Sequence, residues 1–154
     1  ITINGALHRA GGRAEITSVI NTSASKGATI DMTDILSSEC ESATRTVTLE
    51  NDTDLVIKDI VKAKYNKAAD VRWTMVTSAT PKLLDSHTIE LTKEGKKLHV
   101  IIDSPSAAAF SVVDNVPSHS YDAPNPGSVR IVFDVDVKAG RKETLKVRLV
   151  PVVE

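Results

Sequence analysis

The chain has 154 residues, 41% hydrophobic and 25% charged, with 19 basic against 20 acidic side chains and a formal net charge of −1. That length fits one domain and a core that needs no disulfide or metal staple. The balanced charge argues against a dedicated nucleic-acid binder and against polybasic attachment to a membrane. No apolar run approaches the roughly 18 residues of a membrane-spanning helix. Val, Ile and Thr make up 45 residues, 29% of the chain, and these stiff branched side chains favour strands. Cys40 is the single cysteine, which excludes an internal disulfide and a CxxC metal site.

In chain order, Ile1-Thr2-Ile3 and Ala14 to Ile20 read as two strands around Gly11-Gly12. Residues 30–37 have the pattern of a short helix, with an Asp or Thr expected as its cap. Arg45 to Leu49 and Leu55 to Asp59 flank the polar turn Glu50-Asn51-Asp52-Thr53. Val71, Trp73, Met75 and Thr77 share one strand face. Ile89 and Leu91 lead through Lys93-Glu94-Gly95-Lys96 to Leu98, Val100 and Ile102, a hairpin pattern. Residues 104–128 look like a long irregular loop rich in proline.

The clearest period-two alternation runs from Val129 to Val137, with Arg130, Asp134 and Asp136 opposite the apolar face. Lys138-Ala139-Gly140-Arg141 then suits a hairpin to Leu145–Leu149, which Pro151 ends. About ten short strands with turn signals between them predict an all-β chain, an antiparallel β-sandwich filling residues 1–154 as a single domain.

The chemistry-bearing residues are sparse. His8, His87, His99 and His119 lie at least twelve positions apart, without the short spacings of a metal site; no metal and no cofactor is expected. The alternation around His99 turns it outward. His119-Ser120-Tyr121-Asp122 is a dense polar cluster, read first as a loop-fixing knot and second as the centre of a hydrolase. Cys40 stands among acids that raise a thiol's pKa. No GxSxG elbow, GxGxxG or P-loop occurs. Of the five aromatics, Trp73 and Phe133 belong to apolar strand faces, and Tyr65 and Tyr121 are left for the surface. His8, Arg9 and Arg13 form a basic cluster suited either to a solvated turn or to an acidic sugar.

Several segments in order carry a resemblance. They are Ile3-Asn4-Gly5 with Gly12 to Ile16; Arg45 to Leu49 with Leu55 to Asp59; Val71 to Ala79 with Gly95 to Leu98; and Tyr121 to Gly127 with Leu145 to Pro151. Together they resemble the C-terminal β-sandwich region of the heparinase II/III-like polysaccharide lyases, across nearly the whole chain. The resemblance implies a bacterial periplasmic or secreted enzyme with an N-terminal α/α-toroid. Such enzymes cleave uronate-containing polysaccharide, such as glycosaminoglycan or alginate, by β-elimination.

It further implies that the catalytic Tyr and the uronate-gripping residues lie in the helical domain. The catalytic His falls before Ile1. No catalytic residue can then be assigned in this chain. Asn4 and the loop after it, with His8, Arg9 and Arg13, are the substrate-binding candidates. The expected partners are the helical toroid, an acidic polysaccharide and a second copy of the chain. The sequence opens at Ile1, without methionine or signal-peptide pattern, so a processed product or a piece of a longer polypeptide is expected, with one apolar face lacking its cover. The alternative reading is a stand-alone, non-catalytic carbohydrate-binding or adhesive sandwich.

Overall fold

The computed structural model describes residues 1–117 and 120–153. Its elements are β1 (Thr2–Ile3), β2 (Glu15–Asn21), β3 (Ser25–Asp31), α1 (Thr33–Leu36), β4 (Cys40–Glu50), β5 (Asp54–Ala63), β6 (Ala69–Thr77), β7 (Thr80–Leu83), β8 (Thr88–Lys93), β9 (Lys96–Ser104), β10 (Ser111–Asp114), β11 (Val129–Val137) and β12 (Lys142–Pro151). They form a four-stranded sheet, in the order β1-β6-β11-β10, and an eight-stranded sheet, in the order β2-β3-β4-β5-β12-β9-β8-β7. Every paired neighbour is antiparallel. The all-β sandwich expected from the alternation is what the chain forms.

Two expected hairpins are present, and each turn has a backbone reason. Asn51 and Asp52 adopt φ of 51° and 59°, and Glu94 and Gly95 adopt 52° and 73°. Two successive left-handed residues match the twist of the flanking strands. The third expected hairpin is corrected. β11 belongs to the small sheet and β12 to the large one, so Lys138–Arg141 carries the chain from one layer to the other. Both strands alternate correctly because both inner faces are apolar, and alternation does not name a strand's partner.

Three strands were not foreseen: β3 and β7, and β10 inside the supposed irregular stretch. β3 and β7 contain Lys and Gly or Pro, and β10 is four residues long. β3 takes Ile30 and Asp31, leaving α1 one turn long. No side chain caps α1. Met32 occupies the N-cap position, while Asp31 Oδ1 accepts the Thr33 N–H at 2.8 Å.

The core fills the space where the sheets overlap. Trp73 and Phe133 are directly paired across β6 and β11. Their rings stack at 5.4 Å, and Phe110 meets both edge-on, arrangements worth about 0.5–1.5 kcal/mol beyond area burial. Among the described residues the Trp73 Nε1–H has no acceptor.

The overlap ends before the large sheet does. Cross-strand register places Val19, Ala28, Val47, Ile57, Val147 and Ile102 in one row on one face. Exposure falls along that row from 75% at Val19 to 0% at Val147. Thus the inner face of the large sheet is bare at β2, while Ala28 and Val47 beside it are half-buried. Ile16, 66% exposed, lies in the neighbouring row with Ile30, Arg45, Asp59 and Leu145. At this margin Arg45 grips the fully buried Asp59 through two bonds of 2.7 Å.

A buried carboxylate left without its partner costs about 3–5 kcal/mol, whereas replacing both ions with apolar groups is close to neutral. Arg45→Leu is therefore expected to lower stability by about 3 kcal/mol. Arg45→Leu with Asp59→Leu should recover most of it, as read by urea unfolding. Gly27 gives a second check. A Cβ there would lie 2.0 Å from the Val47 carbonyl oxygen and 2.8 Å from Thr48 Cα. Gly27→Ala must push β3 off β4, and a loss of roughly 1–3 kcal/mol is expected in the same assay.

Candidate functional site

The predicted substrate residues all lie on the β1–β2 connection, and the structure shows what holds each. Asn4 and Gly5 adopt φ of 54° and 66° and close a tight turn in which the Ala6 N–H donates to the Ile3 carbonyl at 3.0 Å. Asn tolerates this left-handed region better than most side chains. Its side chain is a clamp: Nδ2 donates to Glu39 Oε2 at 2.6 Å, and Oδ1 accepts the Asp70 N–H at 2.9 Å. Glu39 also accepts Lys67 Nζ at 2.8 Å. The bonds from Asn4 and then Lys67 hold the Glu39 carboxyl below its usual range.

Further along the loop, His8 Nε2 lies 3.0 Å from the Ile1 carbonyl. Arg9 donates its guanidinium to the Asp34 carboxylate, its Nε to the Asp34 carbonyl at 3.2 Å, and its main-chain N–H to the Ile35 carbonyl at 2.9 Å. The Arg13 N–H donates to Asp34 Oδ2 at 2.9 Å. Asp34 is thus the anchor of the loop. The bond from the Arg13 main chain, then that from Arg9, pulls its carboxyl below the ordinary value.

Beside the loop is a shallow hollow of about 500 Å³, where Arg13 meets Glu15, Asp31 and Asp34 among Thr and Ser hydroxyls. Its lining offers hydrogen bonds to neutral hydroxyls within a negative local field. The structure brings Arg9 and Arg13 together around Asp34, and leaves Asn4 bound to Glu39 and Asp70.

The anchoring role of Asp34 and Glu39 was not read from the sequence. Their partners lie 21 to 35 residues away, and no local pattern announces such a contact. Elsewhere, Trp73 and Phe133 are buried as expected, while Tyr65 and Tyr121 are 90% and 80% exposed. His99 is half-buried, with Nε2 3.3 Å from Glu90 Oε2. His87 lies between the Ser86 hydroxyl and the Ser106 carbonyl, at 2.9 and 3.0 Å. Cys40 is buried. Burial is the main cause of its raised thiol pKa, with Glu39 adding and Lys64 opposing. His119 lies outside the described residues. Among the described residues no group of three or more His, Cys, Asp or Glu is placed to hold a metal.

The fold so defined is a two-layer antiparallel sandwich of four and eight strands. No sequence-family profile and no curated protein matches the chain. Solved structures do match. Heparan sulfate lyase HepC from Pedobacter heparinus superposes with a TM-score of 0.70 at 13% identity, over 92% of this chain and 22% of that one. A heparinase III gene product with methylated lysines gives 0.69 at 12% identity, over 92% and 21%. A further crystal structure of heparinase III gives 0.67 at 12%, over 90% and 21%. The chain therefore has the fold of one segment of heparinase III-like enzymes and spans about a fifth of their length.

The lowered Asp34 carboxyl fixes the sign of a pH effect. A folded-state pKa below the ordinary 3.8 means that the loop's anchorage is intact above that value and lost as pH falls through the lowered one. Asp34→Asn is expected to speed amide exchange across residues 5–13 at neutral pH. It should also remove the loss of protection, taken relative to the intrinsic exchange rate at each pH, that is expected of the natural chain on acidification.

Proposed function

We propose that this chain is the C-terminal β-sandwich domain of a heparinase II/III-like polysaccharide lyase from the bacterial periplasm or exterior. In the whole enzyme it would wall one side of the polysaccharide cleft and brace a helical toroid. The observation that carries the reading is the coverage: the sandwich matches a heparan sulfate lyase almost end to end while spanning 22% of it. An inactive fragment follows from the chemistry. β-Elimination on a uronate needs a base for the proton beside the carboxyl, an acid for the leaving C4 oxygen, and a group to neutralise the carboxylate. All must stand within about 3 Å of the reacting atoms. Among the described residues the candidate loop supplies guanidinium groups but no such convergence.

On this reading Asn4 acts by shaping the loop's entry. Asn4, His8, Arg9 and Arg13 border the cleft. Arg9 is less available than Arg13, because Asp34 already engages its guanidinium. The substrate class is a uronate polysaccharide, and the missing toroid would set which one.

The 154-residue chain is expected to show no lyase activity on heparan sulfate or alginate, followed by the ultraviolet absorbance of the unsaturated uronate product. The longer native polypeptide, captured from source cells with an antibody to this domain, should show it. Activity in the 154-residue chain would overturn the assignment of an inactive domain. An inactive longer chain would overturn the lyase assignment itself.

A further inference from the structure

We propose that the β5–β6 and β11–β12 turns together form a second binding site for an acidic polysaccharide, with Tyr65 as its stacking platform and Lys138, Arg141 and Lys142 as its anion contacts. The ligand class rests on the lyase reading; the site is separate from the Asn4 to Arg13 loop.

The first observation is charge. Residues 62–67 read Lys-Ala-Lys-Tyr-Asn-Lys and residues 138–142 read Lys-Ala-Gly-Arg-Lys, so six of these eleven residues are basic and none is acidic. The fold brings the two segments together. The Gly140 N–H donates to the Lys64 carbonyl at 2.8 Å, and the Ala63 N–H to the Arg141 carbonyl at 2.9 Å. The Arg141 N–H closes its own turn on the Lys138 carbonyl at 2.9 Å. The basic side chains therefore stand on a fixed backbone, and a preordered surface loses less entropy on binding.

The two segments differ in what their cations already hold. Lys62 Nζ donates to Glu41 at 2.6 Å, Lys64 Nζ to the Ser38 carbonyl at 2.8 Å, and Lys67 Nζ to Glu39 at 2.8 Å. These bonds tie the first turn to the stretch from α1 into β4. Lys138, Arg141 and Lys142 are exposed, and among the described residues no ion pair engages them. Register sets Lys142 directly opposite Lys62. Like charges so placed cost stability. Glu41 neutralises Lys62, and an anion over Lys142 would offset what is left.

The second observation is the ring. A Cβ on Gly140 would lie 3.7 Å from Tyr65 Cδ2, so the ring is held beside the basic turn, yet Tyr65 is 90% exposed. An aromatic side chain in that position offers an apolar surface to a sugar ring and a polar tip to water. On the same turn a hollow of about 270 Å³ is lined by Lys138, Arg141 and Lys142 together with Asp136 and Glu143. The cations take a carboxylate or sulfate through charge-assisted bonds. The two carboxylates accept hydroxyl protons and repel a run of phosphates. That mixture suits a polyhydroxylated anion better than a nucleic acid. Lys67 and Asn4 share Glu39 Oε2, so the site adjoins the loop proposed to border the cleft.

The test measures binding of heparan sulfate oligosaccharides to the 154-residue chain by calorimetry at low ionic strength, where exposed charges are least screened. Lys138→Ala with Arg141→Ala and Lys142→Ala is compared with a control of equal charge, Lys82→Ala with Lys96→Ala and Lys97→Ala, three exposed lysines elsewhere. The first triple variant is expected to weaken binding about tenfold and the control less than about twofold. Tyr65→Ala should weaken it about fivefold, and Tyr65→Phe should stay within about twofold of the natural chain. Equal urea midpoints show that each variant is folded. In the longer native polypeptide the first triple should raise KM and leave kcat unchanged, since these contacts hold substrate and transition state alike.

Equal weakening by the two triple variants would overturn the proposal, as would full-strength binding by the first triple or by Tyr65→Ala. Tighter binding of single-stranded DNA than of the oligosaccharide would overturn the ligand class. A native polypeptide that cleaves heparan sulfate with an unchanged KM in the first triple sinks this inference alone. Binding lost in that triple, beside an inactive native polypeptide, sinks the lyase assignment alone.

Discussion

A sheet of eight strands presents an inner face wider than four strands can cover, and the rest of this structure is arranged around that mismatch. Where the layers overlap, Val147, Leu145, Ile131 and Phe133 are sealed from water, and each Å² of apolar surface so removed contributes about 25 cal/mol. Where the overlap stops, the same row of branched side chains runs out into solvent at Val19. The sequence continues its inward apolar pattern past the point where the described fold can use it. Arg45 and Asp59 sit at that border. The pair survives on an inner face because Asp59 is held by two charge-assisted bonds while Arg45 keeps part of its side chain in water.

The β1–β2 loop leaves the sandwich at the same border, and it is ordered by carboxylates rather than by apolar packing. Asp34 gathers Arg9 and Arg13, and Glu39 gathers Asn4 and Lys67. These contacts tie the loop to α1 and to the start of β4, so the basic residues that look available in the sequence are largely occupied in holding their own support. This is the behaviour of a scaffold that presents a surface, and it agrees with the proposal that proton transfer belongs to residues outside these 154.

Particular elements show how far the sequence could be read. The turns at Asn51-Asp52 and Glu94-Gly95 were legible because local chemistry selects a left-handed backbone there. Trp73 and Phe133 were legible as core because each interrupts a polar alternation with a large apolar ring. β3 and β10 were not. Gly27 serves a close approach to Val47 that exists because β4 lies beside it, and a four-residue strand such as β10 is defined by its pairing with β11. The substrate candidates were found as a basic cluster, but the acids that bind them lie too far along the chain to be paired by inspection.

By itself the sequence determined the fold class and the inward face of most strands, because a side-chain period of two is a local property of the backbone. It also held, in the order of its segments, the likeness to the heparinase sandwich. The tertiary structure alone decided which sheet each strand joins, as β11 and β12 show. Adjacent strands with equally apolar faces can pair with each other or cross between layers, and the choice depends on the burial available from β5, β6 and β9. It alone decided that Asp34 and Glu39 govern the loop, and that one flank of the large sheet is left without a layer to face it. Those are matters of three-dimensional register, and no local pattern encodes them.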